Sequence, residues 1–162
     1  MMEWLLNHEA VQEFGTHCLR LFVAVLLGGL LGIERQLRGR WAGIRTHMMV
    51  SLGAAIFTLA AVTIAPDDSN EVTRVIQGIA AGIGFLGAGT IIKLGNVSEI
   101  QGLTTASSIW MAAALGTVAG MGEFALAAAS GSISVVVLVL LRPLTKAIGN
   151  GPQQIVTGES HE

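Results

Sequence analysis

The residues best suited to chemistry are charged and polar side chains beside long apolar segments. One group contains a carboxylate, several cations and an imidazole, and its members are Glu34, Arg35, Arg38, Arg40, Arg45, Thr46, His47, Lys93 and Glu99. Ionisable groups at membrane depth pair with one another or line a path for ions and ligands. The basic residues of this group could be explained by membrane orientation alone, because Lys and Arg set the orientation of a membrane protein. Acidic residues contribute little to orientation, so Glu34 needs another explanation. The group is therefore either a structural salt-bridge network or a functional site.

Arg20 is the second unusual charge. Only the uncharged residues Leu21 to Ile33 separate it from Glu34, which is about 20 Å of helix at 1.5 Å per residue and too short to cross a bilayer. Arg20 either extends outward to the membrane surface or faces the bundle and pairs with an acid or a carbonyl. In the second case it would help to define an ion or ligand path.

Hydroxyl groups cluster after Gly102. Helical spacing places Thr104, Ser107 and Ser108 on one face, with Thr105 beside them. Such hydroxyls either pack between helices or, at the expected depth of Glu34, contribute to the same polar site. Trp110 lies deeper in this segment, and we expect it to contact the bundle.

No pattern typical of an enzyme is present in this sequence. The acidic loop residues Asp67, Asp68 and Glu71 form a weak candidate Mg²⁺ site, and they are equally explained as a solvated loop. The single cysteine, Cys18, excludes an internal disulfide and a cysteine-based zinc cluster. We therefore predict a protein that is not an enzyme and has no cofactor, with Mg²⁺ left open as a ligand or signal and its metal site unknown.

Glycines recur along one segment, as Gly78, Gly82, Gly84, Gly87 and Gly89. Three of them match a dinucleotide-binding pattern, but the strand and helix that this pattern requires are not predicted around it. The alternatives are a small-residue packing seam and a broken helix whose backbone binds an ion. The same four-residue glycine spacing occurs twice more, at Gly28 and Gly32 and at Gly116 and Gly120.

The elements that carry these residues are predicted to be membrane-spanning helices. The 162 residues are 52% apolar and 12% charged, with a mean hydropathy of +0.66, which a water-soluble surface does not allow. Five segments are long enough to span, near residues 14–33, 47–65, 75–92, 103–121 and 124–141. The prediction is an all-α, polytopic membrane protein with a compact bundle of about five helices over residues 1–148. Residues 149–162 are expected to be a short disordered cytoplasmic tail.

Charge distribution predicts the orientation of the chain. Seven of the nine basic residues fall on one side: Arg35, Arg38, Arg40, Arg45, Lys93, Arg142 and Lys146. Basic loops stay in the cytoplasm, so the N-terminus is expected outside and the C-terminus inside. A net charge of −2 gives no basic surplus for nucleic acid.

Three segments together resemble the membrane domain of the MgtC/SapB family, over about residues 19–141. They read LFVAVLLGGLLGIERQLRGRWAGIRTHMMVSLGAAIFTL, RVIQGIAAGIGFLGAGTII and GLTTASSIWMAAALG, in that order. The resemblance implies a bacterial inner-membrane protein connected with life at low magnesium and, in pathogens, with survival inside host cells. Many relatives continue into a soluble cytoplasmic domain after the last helix, and no such domain is expected in the about 20 residues that follow it in this sequence. Ser107 stands where the family pattern has alanine.

The resemblance also implies which residues matter. Those that match its motifs are Arg20, Glu34, Arg35, Gly43, Arg45, Thr46, His47, Arg74, Gln77, Gly82, Gly84, Phe85, Gly87, Gly89, Gly102, Thr104, Thr105 and Trp110. With Lys93, Glu99 and Ser108 added from the spacing, the polar ones form the predicted functional cluster. Two functions stay open: a regulatory membrane module that acts on a partner membrane complex, and an oligomeric transporter or channel for Mg²⁺ or another small solute. Either is compatible with a homo-oligomer in the lipid bilayer.

Overall fold

Five helices make up most of the chain. The structure, a computed structural model, describes residues 2–93 and 100–148. The helices are α1 (Met2–Leu37), α2 (Ile44–Ile64), α3 (Ser69–Ala88), α4 (Leu103–Met121) and α5 (Phe124–Ile148), and a small antiparallel hairpin lies between α3 and α4. Its strands are β1 (Ile92–Lys93) and β2 (Ile100–Gln101), with Ile92 opposite Gln101. The predicted all-α bundle is confirmed. The predicted tail at 149–162 lies outside the described residues, and the orientation stays a prediction.

Four of these helices are long and apolar enough to cross a membrane. They comprise Ala10–Leu37 within α1, all of α2 and α4, and Phe124–Leu141 within α5. Helix α3 is outside this set, because its first turns carry Glu71, Arg74 and Gln77. It also ends earlier than the predicted third span, at Ala88, where Gly89 and Thr90 turn the chain into β1.

Helices α1, α2 and α4 form the centre of the bundle, and glycines bring them together. A Cβ atom on Gly28 would lie 2.5 Å from the His47 carbonyl oxygen. A Cβ on Gly120 would lie 2.6 Å from the Ala55 carbonyl oxygen, and one on Gly116 would meet the backbone of Ser51. Real side chains cannot fit at such distances, so these glycines, and Gly32 against Ile44, let the three helices approach closely.

Helix α3 lies at the edge of the bundle and contacts only α4 and α2 extensively among the described residues. Ile83 and Gly87 are its buried residues, and Gly87 lies in ordinary contact with Ala106. Nothing lies within 4 Å of a Cβ placed on Gly78, Gly82 or Gly84. The helix that the predicted small-residue seam would approach is therefore not found among the described residues, because α3 turns its isoleucines toward the bundle, and the seam stays a prediction.

The helix is also continuous from Ser69 to Ala88. The broken-helix alternative is wrong, since its backbone groups are used within the helix. Gly89 only meets carbonyl oxygens of its own helix, at 3.4 Å and 3.6 Å from a Cβ position. It therefore ends α3 and does not pack against another helix.

Candidate functional site

A buried ionic group lies where α1 ends. Glu34 and Arg35 are 9% and 4% exposed, and the Glu34 carboxylate lies 3.8 Å from the Arg35 guanidinium. Arg38, one helical turn later, donates from Nε to Glu34 Oε1 at 3.1 Å. Glu34 Oε2 is buried and has no hydrogen-bond donor among the described residues. One carboxylate therefore lies near two guanidinium groups, and the Arg38 pair forms because residues four apart share a helix face.

The N-terminal turns of α4 complete this group from the opposite side. Arg35 Nη2 donates to Thr105 Oγ1 at 2.8 Å. Ser108, one turn later on the same face, lies 3.0 Å from His47 Nε2 through its hydroxyl oxygen. Spacing of three residues on a helix brings Thr105 and Ser108 together toward the bundle. We call Glu34, Arg35, Arg38, His47, Thr105 and Ser108 the inner network.

His47 is fully buried in the first turn of α2 and is held at both ring nitrogens. Nδ1 donates to the Gly43 carbonyl oxygen at 2.8 Å, since that oxygen can only accept. The Ser108 hydroxyl lies near both His47 Nε2 and the Thr105 carbonyl oxygen, the latter at 2.8 Å. The ring therefore links α2 to α4 in a fixed orientation. The Ser108 hydroxyl beside the imidazole donates within its own helix to the Thr105 carbonyl oxygen, so the arrangement joins helices and holds charges.

The structure separates several residues that the sequence grouped together. Thr104 and Ser107 are exposed, whereas Thr105 and Ser108 are buried, so the hydroxyl groups that face the bundle are not the set predicted to share one face. Arg45 and Thr46 are exposed beside the inner network and not within it. The Glu99 position and the side chain of Lys93 lie outside the described residues.

Arg74 and Gln77 are exposed near the start of α3, at the opposite end of the bundle from the inner network. Arg74 pairs with Glu71 at 2.8 Å. Asp68 caps α3 by accepting from the Asn70 backbone N–H at 2.9 Å. These acids therefore have local structural partners, and among the described residues no group of three or more His, Cys, Asp or Glu is placed to hold a metal ion.

Arg20 also lies far from the inner network, and it faces the bundle. Its Nη1 donates to the Gly120 carbonyl oxygen at 3.2 Å, where α4 ends and its dipole favours a cation. Gly122, with φ +88°, leaves room for this guanidinium, because a Cβ there would lie 3.0 Å from it. Gly120 and Thr105 are about 22 Å apart along α4. The alternative in which Arg20 pairs with a carbonyl is the one that the structure supports.

Trp110 departs from its predicted role as a packing residue, because it is 49% exposed. It lies on a shallow apolar groove of about 260 Å³ between α3 and α4, with Ile79 and Ile83 on the other wall. Only part of the indole contacts the bundle. The rest of the ring is exposed in the groove between α4 and α3, the helix at the edge of the bundle.

Sequence reasoning missed two features. Ser51 Oγ donates to the Ala24 carbonyl oxygen at 2.7 Å and so ties α2 to α1. In addition, Arg40 and Trp41 line a cavity together with Arg45 and Thr46. A tryptophan beside an arginine in a six-residue loop was the available signal for this cavity. For Ser51 no such signal existed, because a serine in an apolar helix gives no indication of its neighbour.

Comparison with known proteins gives a consistent result. The profile of the MgtC family matches residues 21–147. An uncharacterized protein of Synechocystis sp. is 42% identical over 149 residues, which cover 92% of this chain and 62% of that protein. Protein MgtC of Salmonella typhimurium is 41% identical over 136 residues, which cover 84% of this chain and 57% of that protein.

Protein MgtC of Brucella abortus is 45% identical over 125 residues, with 77% of this chain and 51% of that protein covered. The chain thus spans between about half and three fifths of the length of these relatives. No solved structure matches.

Proposed function

Because the chain belongs to the MgtC family, we propose that it is a regulatory membrane module linked to magnesium homeostasis, which acts by binding a partner membrane complex. Its apolar helices make it a multi-pass protein of the bacterial inner membrane. In this proposal α3 crosses the membrane together with the four apolar helices, the N-terminus lies outside, and the inner network lies at the cytoplasmic end of the bundle. The chain acts by association and not by catalysis.

The observation that carries this proposal is the uncovered face of α3. Gly78, Ala81 and Gly82 are exposed on successive turns, and Cβ positions on the two glycines meet nothing within 4 Å. In a bilayer, helices associate where small residues let their backbones approach. A partner helix could therefore lie against α3 as closely as α4 lies against α2.

A groove beside this face supports the same proposal. It has a volume of about 590 Å³, runs between α2 and α3, and includes Gly53, Phe57, Gly78 and Gly82 in its lining. The lining is almost entirely apolar, so lipid chains fill it until a helix displaces them. The inner network, in contrast, is occupied by its own hydrogen bonds and ion pairs, which favours association over conduction.

The test exchanges the small residues for large ones without disturbing the bundle. Gly78→Leu with Gly82→Leu is expected to abolish recovery of membrane partners after mild cross-linking and affinity purification from cells grown at low Mg²⁺. Ala128→Leu, at an exposed position of α5, is the matched control and should recover the same partners as the wild type. Melting temperatures in detergent show that each variant is folded.

Equal recovery of all partners from the double variant would refute docking through α3. The exposed face of α3 suits either a second copy of this chain or a different protein. Identification of the cross-linked partner distinguishes these two cases. A homo-oligomer would appear as cross-links between α3 helices of two tagged copies.

A second function, transport of Mg²⁺ or another small solute, is favoured by one specific observation. Glu34 Oε2 is buried without a hydrogen-bond donor among the described residues, and buried carboxylates in membranes commonly belong to ion paths. Flux into liposomes with a trapped indicator tests this function. Flux that is lost in Glu34→Gln and retained in Glu71→Gln, an exposed carboxylate, would support transport, and no flux from folded wild type would refute it.

A further inference from the structure

The loop between α1 and α2 borders an open cavity whose lining differs from those of the other described cavities. Its volume is about 230 Å³, and it is lined by Arg40, Trp41, Arg45 and Thr46 together with Gln36 and Gly43. The other three described cavities have mainly apolar linings, whereas this one is more polar than apolar. Two arginines and one threonine line it, and guanidinium and hydroxyl groups are donors that bind phosphate oxygens well.

The charges of these two arginines are not balanced locally. Arg35 and Arg38 share the Glu34 carboxylate as their ion-pair partner, but no ion pair to Arg40 or Arg45 occurs among the side chains that the structure describes. Two positive groups at one cavity attract an anion, because no carboxylate of the described chain competes for them. The inner network and this cavity therefore differ in charge, although they are adjacent in sequence.

The start of α2 adds to the same attraction. Gly43 is the N-cap residue of α2, and it offers no side-chain hydrogen bond to the first turn. The Ile44 backbone N–H is occupied by Gln36 Oε1 at 3.2 Å. The positive end of the helix dipole at Arg45 and Thr46 nonetheless lies at the cavity.

The position of the cavity indicates the source of the anion. Membrane spans end at Leu37 and begin at Ile44, so the loop lies at the bilayer surface. Trp41 is 91% exposed and Leu37 81% exposed, and an indole at the end of a membrane helix sits at the level of the lipid headgroups. A phosphate at this depth belongs to a phospholipid.

We propose that Arg40, Arg45 and the first turn of α2 bind the phosphate group of an anionic phospholipid, with Trp41 against its glycerol region. Two arginines exceed the single charge of one phosphate, so a headgroup with net negative charge is favoured over a zwitterionic one. The site holds the α1–α2 loop at the membrane surface, whether or not α3 binds a partner.

The experiment measures lipid retention on the purified protein by native mass spectrometry from mixed micelles. Phosphatidylglycerol and phosphatidylcholine are supplied in equal amounts, and inorganic phosphate is added in a separate series. We expect one phosphatidylglycerol to be retained preferentially. Arg40→Gln and Arg45→Gln should each reduce that preference about fivefold, since each basic residue near the surface contributes comparably.

Arg74→Gln is the matched control, because Arg74 is exposed at the opposite end of the bundle, and it should leave the preference unchanged. Arg40→Lys with Arg45→Lys should keep part of it, since the charge remains without the planar fork. Equal retention of both lipids by the wild type, or an unchanged preference in Arg40→Gln with Arg45→Gln, would overturn the proposal. Displacement of the lipid by millimolar inorganic phosphate would confirm the phosphate chemistry and overturn the lipid as its source.

Discussion

Helices α4 and α3 each contain two glycines four residues apart, but only the pair in α4 is packed against another helix. Gly116 and Gly120 lie so near the α2 backbone that no Cβ fits, whereas Gly78 and Gly82 have nothing within 4 Å of that position. Small residues four apart permit close approach of helices, but they do not create a neighbour. The same pattern therefore forms a closed seam inside the bundle and an open face at its edge.

The largest effect is expected at the closed seam. Gly116→Ala places a methyl group against the backbone of Ser51, so α2 and α4 must separate. Overpacking typically costs about 1–3 kcal/mol, and we expect this variant to exceed that range because its Cβ would meet rigid backbone closer than real Cβ atoms approach. Thermal unfolding in detergent measures the loss, and a variant as stable as the wild type would show that the two helices are not in close contact.

A smaller loss is expected where the same two helices are joined by polar groups. Ser108→Ala removes the hydroxyl that lies 3.0 Å from His47 Nε2, which leaves a buried ring nitrogen without its partner and costs about 1–3 kcal/mol. Ser107→Ala is the control, because that hydroxyl is exposed and bonds only to its own helix. Equal melting temperatures for the two variants would contradict the bridge between α2 and α4.

The smallest effect, and one of opposite sign, is expected at the open face. Gly78→Ala should leave the purified protein as stable as the wild type or stabilise it by up to about 1 kcal/mol, because alanine favours the helix and meets no neighbour. The same unfolding experiment measures it. A clear loss of stability in the isolated chain would mean that another element already covers this face.

Much of the architecture was predictable from hydropathy and charge. The predicted fourth span begins and ends where α4 does, at residues 103 and 121, because a bilayer demands about 20 apolar residues and a helix satisfies its own backbone. Asp68 and Gly122 mark helix ends by their local chemistry. The predicted bounds of the third span were less accurate, because the polar first turns of α3 and the glycine at its end weaken the apolar signal.

The candidate site was only partly predictable. The structure brings Glu34, Arg35 and His47 together with Thr105 and Ser108. It places Thr104, Arg74 and Gln77 elsewhere, and the functional role of the group stays a prediction. A rotation of α4 by one residue, or about 100°, exchanges Thr104 for Thr105 on the inward face. Nothing in the local sequence sets that rotation.

The sequence by itself therefore determined that this protein is a bundle of membrane helices, and it determined which loops carry the charge. Only the tertiary structure decided which glycines close a seam, which hydroxyls face the bundle and which arginines lack a carboxylate. The physical reason is that span length and helix formation depend on local residues, whereas burial, close approach and charge compensation depend on what lies across from each residue. Residues such as Ser51 and Gly116 meet only when α2 and α4 pack.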